Sequence, residues 1–111
     1  MAYSSLCASL ESPVFTASLR RHLDDEQYRA TQAALSLRPA QGALIPGGAG
    51  LRKLRWGAEG RGKRGGVRTI YYWAVDNELC YMVYMYAKNE QGDVSPTQIR
   101  ALARAVREEF K

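Results

Sequence analysis

Histidine is almost missing from this chain: His22 is the single one among 111 residues. A nuclease mechanism built on paired histidines is therefore excluded, and His22 itself, inside a helical pattern far from any basic element, reads as structural. Cysteine is nearly as scarce. Cys7 and Cys80 form neither a CxxC nor a Cys/His ligand spacing. With no clustered carboxylates either, the sequence offers no metal site, and it carries no motif for a Ser-His-Asp arrangement. The phosphate-cradling GxxxxGK[ST] is absent. A GxGxxG does run from Gly60 to Gly65, but Lys63 and Arg64 crowd it and no βαβ unit surrounds it. No apolar run reaches the ~20 residues that span a bilayer. The opening MAYSSLCASLESPVF lacks the basic and long apolar regions of a signal peptide. Two cysteines in apolar, strand-like settings predict buried thiols in a reducing compartment, hence a cytoplasmic protein.

Acid is missing where base is densest. From Arg52 to Arg68 the chain carries seven basic residues against Glu59 alone, while the remainder holds nine basic and ten acidic residues. Nine of the ten glycines lie between Gly42 and Gly66, in and around the same stretch. One-signed charge on permissive backbone, leading into an aromatic strand, points to a polyanionic partner. The length, with 46% hydrophobic and 24% charged residues, predicts one globular domain over residues 1–111.

Residues 5–11 alternate weakly and predict a short strand. Ser12-Pro13 predicts an N-cap followed by a helix with Phe15, Leu19 and His22 or Leu23 on one face. Asp24 with Gln27 forms a capping-box pattern for a second helix, whose stripe is Tyr28, Ala34, Leu35 and Leu37. Residues 39–50 read as a loop. A strand over 51–57 sends Leu54 and Trp56 to the core and leaves Lys53 and Arg55 pointing out together. Residues 67–75 and 79–88 predict two strands covered on both faces, with Cys80, Met82, Tyr84, Tyr86 and Lys88 sharing one face. Ser95-Pro96-Thr97-Gln98 starts a terminal helix with Ile99, Leu102, Ala103, Val106 and Phe110 in helical period. The order β-α-α-β-β-β-α is a small α+β domain.

The chemistry left to such a chain is phosphate handling by cations. Arginine forks grip phosphate oxygens in two-point fashion and lysine adds a compact charge. Crowded cations disfavour one another's protonated forms, so a lysine among them can act as general base. RNA brings its own nucleophile in the 2′-hydroxyl. The protein then need only move protons and stabilise the phosphorane charge. Tyr86 is a further proton donor, and Tyr72 or Trp73 can stack on a base, although core packing is the better expectation for Trp73.

GGAGLRKLRWGAEGRGKRGGVRTIYYW, followed by YMYAKNEQGDVSPTQIRAL, resembles the RelE superfamily of bacterial toxins, specifically its HigB-like branch. The blocks G-GLRK-R, GKRGG-R-IYY, Y-KNE and a helix opening with D-[LV]-[ST] cover roughly residues 47–106. The resemblance implies a microbial-ribonuclease-like fold with a mostly antiparallel sheet packed by helices. It also implies cofactor-free and metal-independent cleavage of mRNA in the ribosomal A site, inhibiting translation. Its partners would be the ribosome and a cognate antitoxin, a helix-turn-helix HigA-like protein through which operator DNA is contacted. Carried over residue by residue, Lys53 and Arg55 fall on the strand presenting catalytic cations, and Arg68 matches the arginine that contacts the scissile phosphate. Lys88 matches the basic residue after the final strand, with Tyr86 beside it. Arg61, Lys63 and Arg64 would grip RNA from the loop, with Arg52 and Asn89 as further RNA or ribosome contacts. Two features depart from RelE-type chains: Asn89 stands where arginine is frequent, and a helix replaces an aromatic, basic tail. A non-catalytic RNA- or ribosome-binding module using the same face is the competing expectation. It would bind with steep salt dependence and leave RNA intact.

Overall fold

The computed structural model describes residues 8–56, 66–88 and 92–110. Within them the order is β1 (Ala8–Glu11), α1 (Pro13–His22), α2 (Asp25–Leu37), β2 (Ala43–Leu44), β3 (Leu51–Trp56), β4 (Val67–Ala74), a 3₁₀ turn (Val75–Asn77), β5 (Leu79–Ala87) and α3 (Pro96–Glu109). The strands form one sheet in the order β1-β5-β4-β3-β2, antiparallel except where β1 runs parallel to β5. This is the α+β architecture expected, with one strand more than foreseen.

All three helices begin where side chains can satisfy their first amides. Ser12 Oγ accepts from Phe15 N–H at 3.0 Å ahead of Pro13, and the Asp24/Gln27 and Ser95/Gln98 pairs each close a capping box. Helices α1 and α2 cover one face of the sheet, where Phe15, Leu23 and Leu35 pack with Leu54, Tyr71 and Met82. Helix α3 covers the other, setting Ile99, Ala103 and Val106 against Leu51, Ile70 and Tyr81. The face bearing Lys53 and Arg55 therefore runs from core at Leu51 to solvent at Arg55. Among the described residues no helix is long and apolar enough to cross a membrane.

Three expectations are corrected. Residues 39–50 are not all loop: Ala43 and Leu44 pair with Lys53 and Arg52 as a two-residue strand, too short to leave a periodic pattern. The fully buried Tyr71 pins this segment, its hydroxyl donating to Pro39 O at 2.7 Å and accepting from Gly42 N–H at 2.9 Å. A Cβ on Gly42 would lie 2.7 Å from that hydroxyl, so only glycine fits there. In α2, Leu37 is 69% exposed, and Thr31, four residues before Leu35, takes its place in the buried stripe.

The third correction concerns β5. Ile70 pairs with Tyr84 but Tyr71 pairs with Met82, so Val83 is an extra residue, a β-bulge. The expected single face of Cys80, Met82, Tyr84, Tyr86 and Lys88 is broken there. Cys80, Met82 and Met85 pack under α1 and α2, whereas Tyr81, Val83 and Tyr86 pack under α3, with Tyr84 against them. Ser12 holds this irregularity: its hydroxyl donates to Val83 O at 2.9 Å and its N–H to Met82 O at 2.9 Å.

Two stability predictions come from this packing. Ser12→Ala removes both the α1 cap and the donor to the bulge carbonyl, and should cost about 1–3 kcal/mol in urea unfolding. Thr69 is fully buried and its Oγ1 lacks a hydrogen-bond partner. Thr69→Val should therefore raise stability by about 1 kcal/mol, read as a higher melting temperature, since no bond is lost with the hydroxyl.

Candidate functional site

The bulge in β5 sets which side chains meet. Across β3, β4 and β5, Arg55 pairs with Arg68 and Arg68 with Tyr86, while one row away Lys53 pairs with Ile70 and Ile70 with Tyr84. Arg55, Arg68, Lys53 and Tyr86 thus share the α3 face of the sheet. Directly opposed like charges on neighbouring strands oppose folding, and an anion between them removes that penalty. Arg55 is exposed, whereas Arg68 is only 8% exposed. Among the described residues no hydrogen bond or ion pair engages the Arg68 guanidinium, for which a phosphate oxyanion is the natural complement.

Asp93, two residues ahead of the α3 cap, ties the row together. Its Oδ1 accepts from Lys53 Nζ at 3.2 Å, from the Tyr86 hydroxyl at 3.2 Å and from Val94 N–H at 2.9 Å. Burial pushes this carboxyl up, but the Val94 amide, the Lys53 ammonium and the Tyr86 hydroxyl outweigh it and hold the pKa below its ordinary value. Tyr86 is displaced the other way: burial first, then the neighbouring Asp93 carboxylate, pushes its phenol up to about 12, although Arg68 pulls it down. Its ring stacks on Tyr84 with centroids 5.8 Å apart. The Lys53 and Asp93 side chains are 28% and 64% exposed, so their ion pair is a solvated one worth about 0–1 kcal/mol. A phosphate can displace it.

Lys53, Arg55, Arg68 and Tyr86 are accordingly brought together. Lys88 lies one residue beyond β5, exposed, its N–H donating to Gly66 O at 3.1 Å at the open end of the same strands. Arg52 is not part of the group. It sits on the opposite face, where its Nη1 donates to the carbonyls of Ala40 and Gly42 at 3.0 and 2.8 Å and fixes the loop before β2. Arg61, Lys63, Arg64 and Asn89 lie outside the described residues. The expected aromatic platforms are elsewhere: Tyr72 packs its ring against Phe110 at 5.6 Å, and Trp73 packs on the α1/α2 core. His22 stays within α1, its Nδ1 2.9 Å from Ser18 O. Asp93 is the member of this group that the sequence reading left without a role. An acidic residue just before a capping serine, inside the last motif block, was the available signal. Among the described residues no group of three His, Cys, Asp or Glu is placed to hold a metal.

The fold has a known counterpart. The chain is similar in structure to a free-state double arginine-to-alanine mutant of the E. coli toxin RelE, with a TM-score of 0.61 at 10% sequence identity. That match covers 90% of this chain and 96% of the other. Residues 15–110 match the family described as the RelE toxin of the RelE/RelB toxin–antitoxin system, nearly the whole described chain. The chain belongs to the RelE toxin family.

Proposed function

We propose that this protein is the toxin of a type II toxin–antitoxin system and acts as a ribosome-dependent endoribonuclease, cutting mRNA in the ribosomal A site. The observation that carries the reading is the cross-strand row Arg55–Arg68–Tyr86 with Lys53 beside it. In this reading the 2′-hydroxyl attacks the adjacent phosphorus. The P–O5′ bond breaks, leaving a 2′,3′-cyclic phosphate and a 5′-hydroxyl. Arg55 and Arg68 hold the non-bridging oxygens and, with Lys53, stabilise the charge of the phosphorane. Side-chain cations rather than a metal carry that charge, with Lys88 adding to the field at the strand end.

Proton traffic runs through the Asp93–Tyr86 contact. Asp93, ionised at neutral pH, takes the 2′-hydroxyl proton. Tyr86, with its phenol pushed up to about 12, stays protonated and delivers a proton to the departing 5′-oxygen. Return of the proton from Asp93 to Tyr86 along their 3.2 Å hydrogen bond closes the cycle. Arg61, Lys63, Arg64 and Asn89 serve as RNA or ribosome contacts, while Arg52 contributes through the loop that it fixes.

Within the family, the glycine-rich basic blocks favour the HigB-like branch. The partner is then a HigA-like helix-turn-helix antitoxin that alone contacts operator DNA, and the protein works in the cytoplasm as one domain.

Induced expression should arrest growth, and mapping of 5′ ends should place cuts within codons. Replacing Lys53, Arg55 and Arg68 together by alanine should abolish both while the circular dichroism spectrum is kept. A triple variant that still cuts and kills would sink the site assignment, and arrest without any cleavage would make the chain an RNA- or ribosome-binding module. Tyr86→Phe keeps the buried ring and loses only the hydroxyl. Single-turnover cleavage on programmed ribosomes should slow by about 10²-fold, with substrate affinity little changed.

A further inference from the structure

We propose that the pocket between the β2–β3 connection and the start of α3 is a nucleobase subsite, seating the base of a nucleotide whose phosphate lies on the cationic row. This deepens the ribonuclease reading and rests on it. The pocket measures about 240 Å³. Ala43, Ile45 and Pro46 line it from the connection side, Val94 and Ile99 from the α3 side, and the Lys53–Asp93 ion pair borders it.

Three observations converge on a base as the occupant. First, Lys53 belongs both to the pocket lining and to the cationic row, so a phosphate held by its ammonium leaves the attached nucleoside within reach of the pocket. Second, aliphatic walls with a few polar groups suit a flat ring whose faces are apolar and whose edges are polar. Third, the aromatic side chains that would otherwise take a splayed base are committed elsewhere: Tyr72 to Phe110, Trp73 to the α1/α2 core and Tyr86 to the core under α3. Lys53, Arg55 and Arg68 outnumber the single Asp93 carboxylate at the pocket, and this net positive charge favours an anionic nucleotide over a neutral apolar peptide side chain.

The test uses the full chain with labelled methyl groups, titrated separately with adenosine 3′-monophosphate and with inorganic phosphate. The nucleotide should bind about tenfold more tightly than phosphate, as burying roughly 50 Å² of ring surface against aliphatic side chains would give. It should shift the methyl signals of Ile45, Val94 and Ile99, which phosphate leaves in place. Ala43→Leu, at an exposed position paired with Lys53 on the pocket's face, should fill the pocket and cut that preference to about twofold with phosphate affinity and melting temperature unchanged. Equal binding of the two ligands, or unmoved methyl signals with the nucleotide bound, overturns the subsite while leaving the cationic row intact. Binding of neither ligand overturns the row itself. Nucleotide-insensitive methyl signals that instead move with an acidic, leucine-containing peptide would reassign the pocket to a protein partner.

Discussion

One hydroxyl sets the layout of the site. Ser12 Oγ accepts the Phe15 amide that opens α1 and donates to the carbonyl of Val83, the extra residue of β5. Without the bulge, strict alternation would carry Tyr86 to the same face as Cys80 and Met82, under α1 and α2. With it, Tyr86 arrives on the face where Lys53 and Arg55 emerge from β3 and Arg68 from β4. A buried carbonyl stranded by a bulge is costly, so a fixed donor is what makes this irregularity tolerable. Helix capping and the aim of Tyr86 beyond the bulge are thereby one event.

The sheet also sorts its cations by face. Arg52 and Lys53 are neighbours in sequence, yet pleating sends the first to loop carbonyls and the second to Asp93. Arg52 spends its charge on holding the segment that carries β2. Lys53, Arg55 and Arg68 are left crowded, and crowding of like charge costs stability. Asp93 relieves part of that cost with a single oxygen shared between an ammonium and a phenol. Because the pair is solvated, the relief is small and reversible.

Much of this was legible in the sequence because the signals are local. Ser12-Pro13, Asp24 with Gln27, and Ser95 with Gln98 each report a helix start within four residues, and all three appear in the structure. The family blocks identify the RelE relationship for the same reason, being contiguous. What the sequence conceals are contacts between distant residues. The bulge depends on Ser12 meeting Val83, the β2 segment on Tyr71 reaching Pro39 and Gly42, and the role of Asp93 on Lys53 and Tyr86 coming to it. No period of two or 3.6 encodes any of these. The face predicted for β5 failed because one inserted residue inverts alternation for everything after it.

The placement of charge then separates geometry from grip. Arg55 and Arg68 are fixed by adjacent strands packed on both sides, and Lys53 and Tyr86 are further restrained by Asp93. Reactions that depend on orientation lose rate steeply when a group is misplaced by an ångström, so the proposed attack at phosphorus is assigned to these strand residues. Attraction of a polyanion has no such demand. It scales with the number of cations near the phosphates and falls with salt, whatever their arrangement. In the proposed reading Arg61, Lys63 and Arg64, in the glycine-rich stretch of the sequence, serve that second task. On that reading the basic composition accounts for affinity, while the chemistry rests on Lys53, Arg55 and Arg68 together with Tyr86, whose face the bulge decides.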